Sequence, residues 1–144
     1  MKAAYLEVLG PPEVLKFGDQ PDPIAGEGEV VCDIFAATVN AADWQVRSGL
    51  YANPVTEFPY ILGRDFSGVV SGVGNGVDLN IGDEVFGVLD VGDEGAYAEK
   101  VAIKSSIIAK KPAGLSHIEA AALALTGITA VSYTHLTLPT NREV

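Results

Sequence analysis

The charged pair Arg64-Asp65 interrupts an otherwise apolar run, ILGRDFSGVV, at residues 61–70. A carboxylate beside a guanidinium at the mouth of a strand suits an acid with its partner, a metal site, or the rim of a sheet. Successive strand side chains face opposite ways, so the two are not expected to bond each other. For Arg64 the structural alternative is an ion pair with a helix acid such as Asp43, and composition alone favours that alternative. Zinc takes three or four thiolate, imidazole or carboxylate ligands, and this chain has one Cys and two His. Cys32 lies in an apolar run and reads as a small buried thiol. His117 follows Ser116 and is expected exposed on a first helical turn, while His135 lies near the C-terminus. No metal site is expected. No Ser stands in a strand–turn–helix elbow of the G-x-S-x-G type. Gly72, Gly74 and Gly76 in VSGVGNGVD miss the dinucleotide fingerprint, because Val77 replaces its third glycine and another strand follows, not a helix N-terminus.

The elements that must position these residues are mostly short strands. KAAYLEVL (2–9) and VLKFG (14–18) flank a Gly-Pro-Pro turn. EVVCDIFAATVN (29–40) is rich in β-branched and aromatic residues and reads as a strand. Asn40 can cap a short helix in which Asp43 falls three residues later, Arg47 lies in the last turn and Gly49 ends it. Residues 50–60, with Pro54 and Pro59, read as an irregular loop. Further strands are expected at 65–73, 84–90 and 96–103, with a shorter one in SIIAKKP. Residues 74–83 are rich in Gly, Asn and Asp, as a hairpin-like connection requires. Strands this close together argue for a barrel or sandwich. Ser116 and Glu119 form a capping box before an alanine-rich helix.

Composition narrows the partners. At 144 residues and 15.0 kDa the chain suits one domain. A chain of that size buries roughly 68–70% of its unfolded surface, so it needs no disulfide staples. The net charge of −10 disfavours nucleic acid and anionic membrane surfaces. One cysteine suits a reducing compartment. MKAAYLEVLGPPEV lacks a signal-peptide core and no run is long enough to span a bilayer, so a soluble cytoplasmic protein is expected.

Taken in order, MKAAYLE, NAADWQVRSGLY (40–51), FPYILGRDFSGVVSGVGNGV (58–77), GDEVFG (82–87), GAYAEKVAI (95–103) and LSHIEAAALALTGITA (115–130) resemble the N-terminal GroES-like domain of the medium-chain dehydrogenase/reductase superfamily. The resemblance implies a mainly β fold with a few helices, a partly open GroES-like barrel. In zinc-dependent members a Gly-His-Glu triplet precedes the same strand and a Cys stands at position 40. Here Gly63-Arg64-Asp65 and Asn40 replace them, and the four-cysteine structural lobe is missing. The chain therefore resembles the zinc-independent quinone oxidoreductase and enone reductase branch. That implies hydride transfer from NADPH to a quinone or an α,β-unsaturated carbonyl, with no metal acting as Lewis acid. It also implies that Asn40, Asp43 and Tyr51 line the cleft, with Thr126 near the nicotinamide. Tyr51 would donate to the substrate oxygen and Asn40 would orient cofactor or substrate. For Asp43 a structural role ranks ahead of a chemical one. Gln45 stands where many quinone reductases carry Tyr, which leaves the substrate subclass open.

The resemblance covers about residues 1–130 and stops there. VSYTHLTLPTNREV (131–144) has no strand–glycine–helix pattern for a dinucleotide fold, and with Pro139 and its threonines it is not expected to be helical. The expectation is a truncated catalytic domain lacking its Rossmann domain, inactive alone and exposing apolar surface; family members are often homo-oligomers, and the resemblance leaves the oligomeric state of the whole protein open. A free-standing GroES-like binding or assembly module is the competing reading. The cleft signature NAADWQVRSGLY weighs against it.

Overall fold

The computed structural model describes residues 1–52 and 55–137. Pro54, within the loop expected at 50–60, and Pro139 lie outside the described residues. The order is β1 (Lys2–Leu6), β2 (Lys16–Asp19), β3 (Glu29–Ala37), α1 (Ala41–Ser48), β4 (Tyr60–Ile61), β5 (Asp65–Val73), β6 (Glu84–Val88), β7 (Lys100–Lys104), β8 (Ile108–Lys110) and α2 (His117–Thr137). Short 3-10 turns precede β2 and β8. The strands form two open antiparallel sheets, β2-β1-β4 and β7-β3-β5-β6-β8, rather than a closed barrel. One bridge, Ala3 to Ala98, ties them together. The mainly β fold expected from the sequence is what forms.

Each sheet has its own core. Val30, Cys32, Phe66, Val70, Val85, Val101 and Ile103 point inward from the larger sheet and pack with Leu89, just beyond β6. Burying each large apolar side chain stabilises by roughly 1.5–3 kcal/mol. Leu6, Val46 and Leu62 form the second core, with Tyr51, Tyr60 and Tyr97 against it. Burial pushes the Cys32 thiol up to about 12, so it packs as a neutral hydrophobe. The 74–83 connection joins antiparallel strands as expected. Gly74 is required there, since a Cβ would come within 1.8 Å of the Gly26 carbonyl.

Three expectations change. The 96–103 strand shortens to Lys100–Lys104, because Ala98 pairs only through the single bridge to Ala3. His117 is not exposed. Its ring stacks on Phe35 with centroids 4.8 Å apart, and its Nδ1 lies 2.8 Å from the buried Ser67 hydroxyl. The tail is helical through Thr137. A capped helix propagates more easily than it nucleates, and residues 128–137 contain neither Gly nor Pro. Thr129 and Thr134 donate back to the carbonyls of Leu125 and Ala130, an arrangement that lets threonines stay in a helix. Ser116 caps α2: its Oγ accepts from Glu119 N, while Glu119 Oε2 accepts from Ser116 N at 2.8 Å. Ala120, Ala121 and Ala124 are buried, and these small side chains let α2 lie close against β5 and β6. Among the described residues, no helix is long and apolar enough to cross a membrane.

Candidate functional site

β5 begins where α1 and α2 both approach the sheet, and its first residue is Asp65. Asp65 is fully buried, and a buried carboxylate needs donors. Three are present. Thr38 Oγ1 donates to Oδ1 at 2.5 Å and Asn40 Nδ2 to the same oxygen at 2.8 Å. The backbone N–H of Leu125, in the middle of α2, donates to Oδ2 at 3.3 Å. Asp65 thus joins the end of β3, the start of α1 and the middle of α2.

Asp43 organises a second layer. Asn40 N donates to Asp43 Oδ2 at 2.6 Å, the carboxylate half of a capping box. Tyr97 Oη donates to the same oxygen at 2.8 Å. Asp43 is only 4% exposed, and burial raises its pKa, against the Asn40 and Tyr97 hydrogen bonds that favour the charge. Burial and the Asp43 carboxylate together push the Tyr97 phenol up, so Tyr97 stays a donor. Among the described residues, Asp43 Oδ1 and Arg64 Nε are buried without a hydrogen-bond partner.

Arg64 does not form the ion pair expected with Asp43. Its Nη2 donates to the Leu89 carbonyl at 3.2 Å, while Leu89 N donates back to Arg64 O. The guanidinium still lies near enough to oppose the rise in the Asp43 pKa. Gly63, one residue earlier, has φ +96°, and a Cβ there would sit 2.4 Å from the Tyr97 ring. Only glycine lets Tyr97 approach Asp43 along this path.

Asn40 and Thr126 line one cleft of about 630 Å³, with Ala41, Leu125, Thr129 and Tyr133. Thr129 is committed to a helix carbonyl, whereas the Thr126 hydroxyl makes no hydrogen bond among the described residues. Tyr51 is placed apart from this lining, half-buried against the Leu6–Val46–Leu62 core. Asp65 is bonded to the lining residues Asn40 and Leu125, Asp43 to the Asn40 backbone, and Arg64 to the Leu89 carbonyl. Among the described residues, no three His, Cys, Asp or Glu side chains converge as a metal-binding group. Thr38, Tyr97 and the Leu125 amide have no signal of their own in the sequence. Thr38 sits at a strand end, Tyr97 in a run of small residues, and both matter through partners distant along the chain.

Residues 26–113 match the alcohol dehydrogenase GroES-like domain. The chain is 34% identical to the mitochondrial NAD(P)H oxidoreductase RTN4IP1 of Homo sapiens, over 92% of this chain and 37% of that protein. It is 37% identical to the 2-methylene-furan-3-one reductase of Solanum lycopersicum, over 87% of this chain and 34% of that one. The Escherichia coli quinone oxidoreductase complexed with NADPH superposes with a TM-score of 0.85 at 32% identity, over 96% of this chain and 41% of that one. The chain spans little more than a third of the length of the first two relatives.

Proposed function

Because the chain belongs to the alcohol dehydrogenase GroES-like domain family, among the quinone and NAD(P)H oxidoreductases of the medium-chain dehydrogenase/reductase superfamily, we propose that it is the substrate-side domain of a metal-independent reductase using NADPH. The substrates are quinones or α,β-unsaturated carbonyls. The observation that carries this reading is the shared cleft of Asn40 and Thr126, backed by Asp65. The E. coli neighbour is a quinone oxidoreductase bound to NADPH, and the tomato relative is named for a methylene conjugated to a ring ketone.

The residues at the positions where zinc-dependent relatives would carry ligands do not suit zinc. Arg64 is a cation, Asn40 is a neutral amide, and both Asp65 oxygens already accept from protein donors. The chemistry must therefore rest on position and hydrogen bonding. NADPH, when bound, supplies the hydride. Ala41, Leu125 and Ala130 give the cleft an apolar lining. The uncommitted Thr126 hydroxyl is the group in this lining best placed to donate to an oxygen that gains charge.

The test is NADPH oxidation by the protein of the whole gene, with p-benzoquinone and with crotonaldehyde. Turnover with either should survive a strong chelator, and Thr126→Val should lower it about tenfold, the worth of one hydrogen bond in the transition state. No oxidation with either substrate would end the reductase reading, and loss of activity to the chelator would end its metal independence.

A further inference from the structure

The protons around Asp65 can be assigned from the geometry. The carboxylate accepts but does not donate when ionised. Thr38 gives its one hydroxyl proton to Asp65 Oδ1, at 2.5 Å. Asn40 Nδ2 gives one proton to the same Oδ1 at 2.8 Å and lies 3.2 Å from Thr38 Oγ1, whose lone pair can accept the other. Both amide protons are therefore directed inward. The opposite flip would set the Asn40 carbonyl against a buried carboxylate, with no proton between them. The Asn40 Oδ1 sits over the start of α1 in the capping-box position and, with two lone pairs, keeps acceptor capacity.

We propose that Asp65, together with Thr38, is a specificity-determining positioning residue: it locks Asn40 as a hydrogen-bond acceptor, so that the cleft selects a ligand group that donates, a hydroxyl or a primary amide, over one that only accepts. Asn40 is then not the group that polarises a substrate carbonyl. It holds a donor-bearing part of the cofactor or substrate, while Thr126 on the facing helix remains free to donate. Asp65 acts without touching the ligand, through the amide it orients. Its Oδ2 bond to Leu125 N fixes α2 in the same operation, so the acceptor and the Thr126 donor keep one spacing. The ligand class rests on the reductase reading; the orientation of Asn40 does not.

Side-chain amide NMR of the 144-residue chain tests both parts. In the unaltered protein the Asn40 Hδ2 protons should exchange slowly and show NOEs to the Thr38 methyl. In Asp65→Asn their exchange should accelerate at least tenfold, with new NOEs to Thr126, while the backbone amides of β5 keep their protection. Thr38→Val, which preserves shape and removes the hydroxyl, should accelerate exchange of one of the two protons even if Asp65→Asn does not fold. Nicotinamide, which carries amide protons, should shift the Asn40 side-chain signal at least threefold more than 3-acetylpyridine, its acceptor-only analogue, at equal concentration. Hδ2 exchange in the folded variants within twofold of the unaltered chain, or NOEs placing Hδ2 toward Thr126 in the unaltered chain, would overturn the positioning role. Equal shifts from the two probes, or none from either, would overturn the donor selection. Neither readout involves turnover, so the reductase reading can fail while the Asn40 assignment stands.

Discussion

Asp43 sits in an electrostatic conflict, and Tyr97 decides how costly it is. Burial raises the Asp43 pKa above the usual carboxylate range. An acid whose pKa rises on folding binds more protons folded than unfolded, so stability falls as pH climbs from the ordinary value of about 3.9 through the raised one. The Tyr97 hydroxyl favours the charged form and limits that loss. Tyr97→Phe should then cost about 1.5–3 kcal/mol at pH 7, where the bond is charge-assisted, and clearly less near pH 4. Urea unfolding at the two pH values measures this. Equal losses at both would mean that Asp43 does not ionise against Tyr97. At this scale, capping was legible in the sequence, because Asn40 and Asp43 act over three residues. The Tyr97–Asp43 bond spans 54 positions and the Asn40–Asp65 bond 25, and no local pattern encodes either one. Asn40 and Thr126 were singled out only by the resemblance, and nothing local placed Tyr51 in the other core.

Among the elements, the turn before β5 constrains the site most. Its carbonyl at Gly63 accepts from both Gly95 N and Ala96 N, which lays the Tyr97 segment over the turn. Gly63→Ala should destabilise by about 2–4 kcal/mol, combining a left-handed backbone with a clash against the Tyr97 ring. Gly92 provides the control. It has the same φ of +96° and nothing within 4 Å of a built Cβ, so Gly92→Ala carries only the backbone cost of roughly 1 kcal/mol. Thermal unfolding of both variants separates the two contributions; equal losses would remove the Tyr97 contact from the account. Elements with a strong local code were readable. β5 covers the expected residues 65–73, and α1 lies between its Asn40 cap and Gly49. Residues 96–99 read as strand but are held mostly by hydrogen bonds from two different segments, Ala4 N to Tyr97 O and Ile34 N to Glu99 O. The end of α2 misled for the opposite reason. Helix propagation from Ser116 outlasts a stretch whose own propensity is poor.

Across the whole molecule, the cleft offers shape and hydrogen bonds but no charge. Among the described residues its lining of Asn40, Ala41, Leu125, Thr126, Thr129, Ala130, Tyr133 and Thr134 contains no cation, and the chain carries a net charge of −10. A dinucleotide brings several phosphate charges, which such a field repels. One amide and one hydroxyl cannot offset the loss of freedom on binding. α2 exposes Ile118, Leu123, Ile128 and Val131, apolar surface that favours association over binding a charged ligand. Residues 1–144 alone should therefore hold NADPH no better than millimolar, a free energy of about −4 kcal/mol. Raising salt should weaken the repulsion without bringing affinity into the micromolar range. Isothermal titration at low and moderate salt decides the matter. A micromolar Kd would mean that this domain contains phosphate-binding groups of its own, and the cleft between Asn40 and Thr126 would then be a complete cofactor site rather than one wall of it.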